Sequence, residues 1–232
     1  MTSMTSSGVD NRLNAIVDAS LADIAPLPDL ARAAARNGAT LIQYRDKTAS
    51  TRVMVERATS IREALAGTGV AFVVNDRVDV ALAAGADGVH LGADDMDAET
   101  ARRLLGGTAI IGLTVKTEAD ADRAGRAPAT YACIGGVFET LSKVNPDPPV
   151  GLSGLRTLRE AIRRLSPDLP VSAIAGIDLA RVPEVIAAGA DGVAVISAIF
   201  RSGDIGGATR SFRSAVDAGV EAGREARLGA AR

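Results

Sequence analysis

A carboxylate at the end of each of two consecutive strands is the first chemical signal in this chain. In Phe72 to Met96, FVVNDRVDVALAAGADGVHLGADDM, a β-branched and aromatic run ends at Asn75-Asp76, and apolar residues then recur at helical spacing from Val78. Gly85 stops that helix, and a second apolar run, Val89-His90-Leu91, leads to Asp94-Asp95. Strands joined by so short a crossover lie parallel and adjacent, with their carboxyl ends about 5 Å apart. Asp76 and one of the later pair can therefore share a hard cation such as Mg²⁺, which prefers oxygen ligands and keeps waters for a phosphate-bearing substrate. Two helix caps are the plainer reading, because aspartate is common after a strand, and spacing alone supports both.

Other strand ends add cationic and hydroxylic groups. In Thr40 to Lys47 the side chains of Gln43, Arg45 and, if the strand continues that far, Lys47 alternate onto one polar, doubly cationic face. A solvated edge strand would look the same, but the parallel α/β pattern around it leaves few such faces. The polar, Pro-rich stretch Glu139 to Pro149 is longer than a plain connection needs. Thr140, Ser142 and Lys143 there offer donors and a positive charge suited to a phosphate, although a lid or surface excursion has the same composition. Gly176 and Ile196-Ser197 follow two later strands and can present backbone amides and a hydroxyl to a second anion. Two anion sites and a divalent cation suggest the joining of two phosphorylated molecules with loss of pyrophosphate. No nucleophile stands out: Cys133 lies in an apolar run and reads as inert core, and His90, the lone histidine, reads as a packed barrel residue.

The elements that must bring these residues together alternate strand and helix along the chain. Expected strands begin at Asn14, Thr40, Phe72, Val89, Ala109, Tyr131, Val171 and Gly192, the sixth running on to Phe138; a last helix covers Ile205 to Ala222. Ala83-Ala84-Gly85-Ala86-Asp87-Gly88-Val89 recurs letter for letter as Ala187-Ala188-Gly189-Ala190-Asp191-Gly192-Val193, each copy joining a helix end to a strand. That recurrence suits two halves of four β-α units closed as a single (β/α)8 TIM barrel, with a doubly wound sheet as the other arrangement. Residues 1–11 then form a loose tail, 12–222 the catalytic barrel and 223–232 a C-terminal tail. With 232 residues, a net charge of −2 and no basic run, the chain lacks the electrostatic footprint of a nucleic-acid binder. A single cysteine excludes an intrachain disulfide, and no apolar stretch of about 18 residues suggests a membrane span. A cytoplasmic protein with small-molecule partners is expected, and a homo-oligomer is compatible with the composition.

In a barrel the listed strand ends converge on one mouth. The segments IQYRDK, VVNDRVDVALAAGADGVHLGADDM, IGGVFETLSK, AIAGI and GADGVAVIS, in this order from about Asn14 to Phe200, resemble thiamine-phosphate synthase. That resemblance implies a transferase that condenses hydroxymethylpyrimidine diphosphate with thiazole phosphate, giving thiamine phosphate and pyrophosphate with Mg²⁺. Departure of pyrophosphate to a pyrimidine carbocation, captured by the thiazole nitrogen, would account for the missing nucleophile. By the same resemblance Gln43, Tyr44, Arg45, Asp46, Lys47, Asn75, Thr114 and Lys143 would hold the pyrimidine diphosphate, with Arg45 and Lys143 catalytic. Asp76 and Asp95 would be the Mg²⁺ ligands and Asp94 a bystander. Thr140, Leu141, Ser142, Gly176, Ile196 and Ser197 would hold the thiazole phosphate.

Two departures stand out. After Ile111-Gly112, where many members carry Ser-Thr-His, this chain has Leu113-Thr114-Val115-Lys116, so Thr114 replaces a Ser contact only approximately and the usual His is missing; Ala175-Gly176 replaces a frequent Gly-Gly, which is strained if Ala175 has positive φ. The nearest rival is a thiazole tautomerase of the same fold, which needs no diphosphate site; retention of Arg45, Lys47, Asn75, Asp76, Asp95 and Lys143 argues against it. A non-catalytic phosphate-ligand-binding paralogue is the rival from another class.

Overall fold

In the computed structural model, residues 9–140 and 148–230 are described, with side chains through 225. The β-rich runs form eight parallel strands: β1 Leu13–Asp18, β2 Leu41–Arg45, β3 Ala71–Asn75, β4 Gly88–Leu91, β5 Ile110–Val115, β6 Tyr131–Ile134, β7 Val171–Ile174 and β8 Gly192–Val195. They pair in sequence order, and β1 also pairs with β8, so the sheet closes into a (β/α)8 barrel with no free edge. Crossover helices cover the outside: α1 Leu27–Arg36, α2 Thr51–Ala64, α3 Val78–Ala84, α4 Ala98–Leu105, α5 Glu118–Arg126, α6 Gly151–Leu165 and α7 Val182–Ala187. A short α8, Ser197–Phe200, follows β8, and α9, Ile205–Ala230, runs on past Ala222. None of the described helices is long and apolar enough to cross a membrane.

The strand expected to reach Phe138 stops at Ile134, because Gly135-Gly136 follows and Gly136 turns the chain at φ 69°. Period-two alternation sorts the side chains into two apolar shells. Ile16, Leu41, Val73, Tyr131, Cys133 and Ala194 pack inside the barrel, while Ala15, Val17, Ile42 and Tyr44 pack outward against the helices. The same alternation turns Gln43 inward with Leu41 and aims Arg45 at the carboxyl-terminal mouth, where it lines the hollow with Gln43.

The repeated heptapeptide does the same work twice. Gly85 and Gly189 take left-handed backbone, at φ 67° and 109°, and end their helices. Asp87 then accepts the backbone N–H of Phe72 at 2.7 Å, and Asp191 that of Val171 at 2.8 Å, tying each strand start to the strand before it. A Cβ on Gly88 would lie 1.8 Å from the Ile110 carbonyl oxygen, and one on Gly192 2.0 Å from that of Asn11. Only glycine lets the strands approach this closely.

Candidate active site

The two aspartates meet at the ends of β3 and β4. Asp76 has φ 63°, a left-handed conformation that aspartate tolerates better than most residues, and its backbone N–H donates to the His90 carbonyl at 2.8 Å. Its side chain pairs with the half-exposed Lys47 ammonium. The Asp95 carboxylate accepts the Gly92 N–H at 2.7 Å. Burial and then the neighbouring Asp76 carboxylate raise the Asp95 carboxyl above its ordinary range. Such a like-charge pair is the donor set that a divalent cation relieves. Among the described residues no cluster of three acidic, His or Cys side chains gathers, so Asp76 and Asp95 are the carboxylates that could hold a divalent cation here, with water and a phosphate to complete its shell. Asp94 is exposed beside them.

Around this pair, Arg45, Lys47, Asn75, Thr114 and Lys116 line the wall of a hollow of about 230 Å³. Arg45 is held by Asp18 at the end of β1, across the β1–β2 seam. The Asp18 carboxyl is kept low: burial would raise it, but the hydrogen bonds from Ser20 and the guanidinium of Arg45 outweigh that.

Arg45, Asn75, Thr114 and Lys116 also border a central hollow in the barrel mouth, lined further by Gln43, His90, Cys133 and Ile174. His90 is buried at 6% exposure, as a packed barrel residue would be, yet it is also bonded across the wall: Nε2 to the Thr114 hydroxyl at 2.9 Å and Nδ1 to the Tyr131 hydroxyl at 2.9 Å. Tyr131 fits there because Gly112 is bare; a Cβ on Gly112 would lie 2.2 Å from the Tyr131 ring.

The central hollow continues towards β7 and β8, where Thr140, Ala175, Gly176, Ile196 and Ser197 border a third recess of about 370 Å³. Ala175 has φ 91°, the strained case, and Gly176 follows at φ 63°. A Cβ on Gly176 would lie 2.2 Å from the Glu139 carbonyl oxygen, so this turn presses against the chain leaving β6. Arg181 stacks on the Phe138 ring at 4.5 Å and donates to the Gly176 carbonyl at 2.6 Å.

Of the expected site residues, Gln43, Arg45, Lys47, Asn75, Asp76, Asp95, Thr114, Thr140, Gly176, Ile196 and Ser197 border this connected mouth. Leu141, Ser142 and Lys143 lie outside the described residues. Tyr44 and Asp46 are not brought into the mouth. Tyr44 donates its hydroxyl to Asp46 at 2.9 Å, and Asp46 also takes Arg57 and the N–H groups of Thr48 and Ala49, on the side facing α2. Arg181 joins the mouth, as does Lys116, which sequence marked only as part of a departure from the family, and Asp18 reaches it through Arg45; Asp18 was legible as an acidic residue ending a strand. A separate hollow of about 760 Å³ lies at the opposite, amino-terminal end, bordered by Asp10, Thr40 and Asp87. Barrel active sites sit at the carboxyl ends of the strands, which makes the mouth, not the amino-terminal hollow, the functional candidate.

The family model for thiamine monophosphate synthase matches residues 13–199. A thiamine-phosphate synthase of Agrobacterium fabrum (strain C58 / ATCC 33970) is 72% identical over 214 residues, covering 92% of this chain and 97% of the relative. Another from Methanoculleus marisnigri is 47% identical over 196 residues, covering 84% and 90%. The solved thiamine phosphate pyrophosphorylase from Pyrococcus furiosus superposes with a TM-score of 0.78 at 37% identity, covering 91% of this chain and 98% of that one. A 3-hexulose-6-phosphate synthase, at 21% identity and a TM-score of 0.60, shares the fold alone. Together with the carboxylate pair and the cationic and glycine-lined recesses, the match across the whole barrel shows that the chain belongs to the thiamine monophosphate synthase family.

Proposed function

We propose that this transferase forms thiamine phosphate by joining a pyrimidine diphosphate bound at the β2–β5 side of the mouth to a thiazole phosphate bound at the β7–β8 side. The observation that carries the reading is a cationic, carboxylate-bearing recess and a glycine-lined recess opening into one central hollow. Arg45, Lys47, Asn75 and Thr114 would hold the diphosphate, joined by Gln43 and by Lys143. Gly176, Ile196, Ser197 and Thr140, with Leu141 and Ser142, would hold the thiazole phosphate. Asp76 and Asp95 would hold Mg²⁺, which supplies charge neutralisation at the diphosphate.

In the reaction the carbon–oxygen bond to the diphosphate breaks and both electrons leave with pyrophosphate; the thiazole nitrogen gives its lone pair to the exposed methylene carbon. No protein nucleophile is required. Arg45 and Lys143 would stabilise the charge that grows on the departing group, a contribution of roughly several kcal/mol. Asp18 keeps the Arg45 guanidinium in place for this, through its ion pair between the ends of β1 and β2. Tautomerisation of one phosphorylated thiazole would leave the cationic recess without a task, so that reading is not favoured. Charged substrates do not cross a bilayer unaided, which favours a cytoplasmic enzyme.

Incubation with both phosphorylated precursors, with Mg²⁺ or with chelator, tests the proposal. Thiamine phosphate and pyrophosphate should appear in equal amounts and only with metal. Asp76→Ala and Lys143→Ala should each lower turnover by roughly a hundredfold or more with the circular-dichroism spectrum unchanged. Near-normal rates in both variants would remove the site assignment.

A further inference from the structure

Asn14 lines the central hollow, and among the described residues nothing hydrogen-bonds either of its side-chain polar atoms. It is the second residue of β1, is 0% exposed, and both its amide nitrogen and its amide oxygen lack a partner. Its register neighbours are Leu41 on β2 and Ala194 on β8, and Ile16 and Cys133 complete the wall around it. None of these side chains matches an amide's donor and acceptor. An unsatisfied buried amide costs stability, and an aliphatic residue, as at Leu41, would fill the same interior position without that cost. The asparagine is therefore better explained by something that enters the hollow than by packing. Asn75, nearer the mouth, borders the same hollow and also has an unpartnered amide nitrogen.

We propose that Asn14 is a specificity-determining residue that reads the amino edge of the pyrimidine, an inference that rests on the synthase reading above. An amide presents an acceptor beside a donor, and this pair complements an exocyclic amino group next to a ring nitrogen, as it does on the edge of adenine. The amide oxygen accepts from the amino group and the amide nitrogen donates to the ring nitrogen. Ile16, Ile174 and Ala194 supply the apolar surface that the ring needs on its faces. A ring seated against Asn14 lies between the two anion recesses, where its diphosphate-bearing carbon must be if both substrates are to meet. Buried water could satisfy the same two atoms. Water, unlike a reading contact, would give no preference for one ring edge.

The test is a binding comparison by calorimetry. The aminopyrimidine diphosphate and an analogue with hydrogen in place of the amino group are titrated into the native protein, Asn14→Ala and Asn14→Ser, all with Mg²⁺. The native protein should prefer the amino form by roughly tenfold or more, and Asn14→Ala should bind the two forms within about threefold of each other. Because the ratio is taken within one variant, partial loss of folded protein cancels; should Asn14→Ala fail to fold, Asn14→Ser gives the same comparison with a smaller cavity. An undiminished preference in both variants overturns the assignment, as does a native protein that does not discriminate. If instead the native protein makes no thiamine phosphate from the two precursors, the synthase reading fails, and that result is distinct from a synthase that ignores Asn14.

Discussion

Ala175 carries strain where the chain turns from β7 into the thiazole-phosphate recess. Its φ of 91° is a region that L residues with a Cβ rarely enter, and a backbone held there costs on the order of 1–3 kcal/mol. Glycine, frequent at this position in the family the sequence resembles, would remove the clash at the expense of a more flexible unfolded chain. Ala175→Gly should therefore raise stability by about 1 kcal/mol, read as a higher urea midpoint with an unchanged slope. A lower midpoint would mean that the alanine methyl makes contacts worth more than the strain. The neighbouring Gly176 has no such latitude, since the Glu139 carbonyl occupies the space a Cβ would need.

At the scale of elements, Asp46 joins the end of β2 to the start of α2. Its carboxylate is buried at 6% exposure and takes the N–H groups of Thr48 and Ala49, the Tyr44 hydroxyl and Arg57. Burial alone would raise its pKa, but those hydrogen bonds prevail and hold it at about 2. A carboxyl depressed in the folded state binds its proton more readily when unfolded, so its stabilisation is complete above the unfolded value near 4 and is lost as pH falls towards 2. Asp46→Asn should cost about 2 kcal/mol at neutral pH, and the gap between native and variant should narrow as pH falls through that window. Denaturant titrations at neutral and acid pH check this; a gap independent of pH would show that shape, not charge, is what Asp46 contributes. The substitution leaves the mouth residues in place, because this carboxylate faces α2.

For the whole molecule, closure decides cooperativity. The sequence repeat invites a picture of two half-barrels, yet β1 pairs with β8 as well as with β2, and α9 packs on both α1 and α7. Neither half can bury its interior face alone. The inner shell itself draws Ile16, Leu41 and Val73 from the first half and Tyr131, Cys133 and Ala194 from the second. Scanning calorimetry should accordingly give one transition with calorimetric and van't Hoff enthalpies in agreement. Two resolved transitions would restore the half-barrel picture.

What the sequence determined by itself follows from local periodicity. Strand ends, helix stops and the repeated Gly-Ala-Asp-Gly turn are short-range signals, and once the strands are parallel their carboxyl ends must converge, so Asp76, Asp95, Arg45, Asn75, Thr114 and Gly176 were legible as neighbours before any coordinates. The same alternation that turns Gln43 and Arg45 to the mouth turns Tyr44 and Asp46 away from it. Tertiary structure alone decided the partners. Asp18 on Arg45 depends on the β1–β2 register, and Tyr131 on His90 and the unpartnered amide of Asn14 depend on distances inside the barrel between residues remote in the chain. No periodicity encodes those distances, because strand register and shear are set by the packing of all eight strands at once.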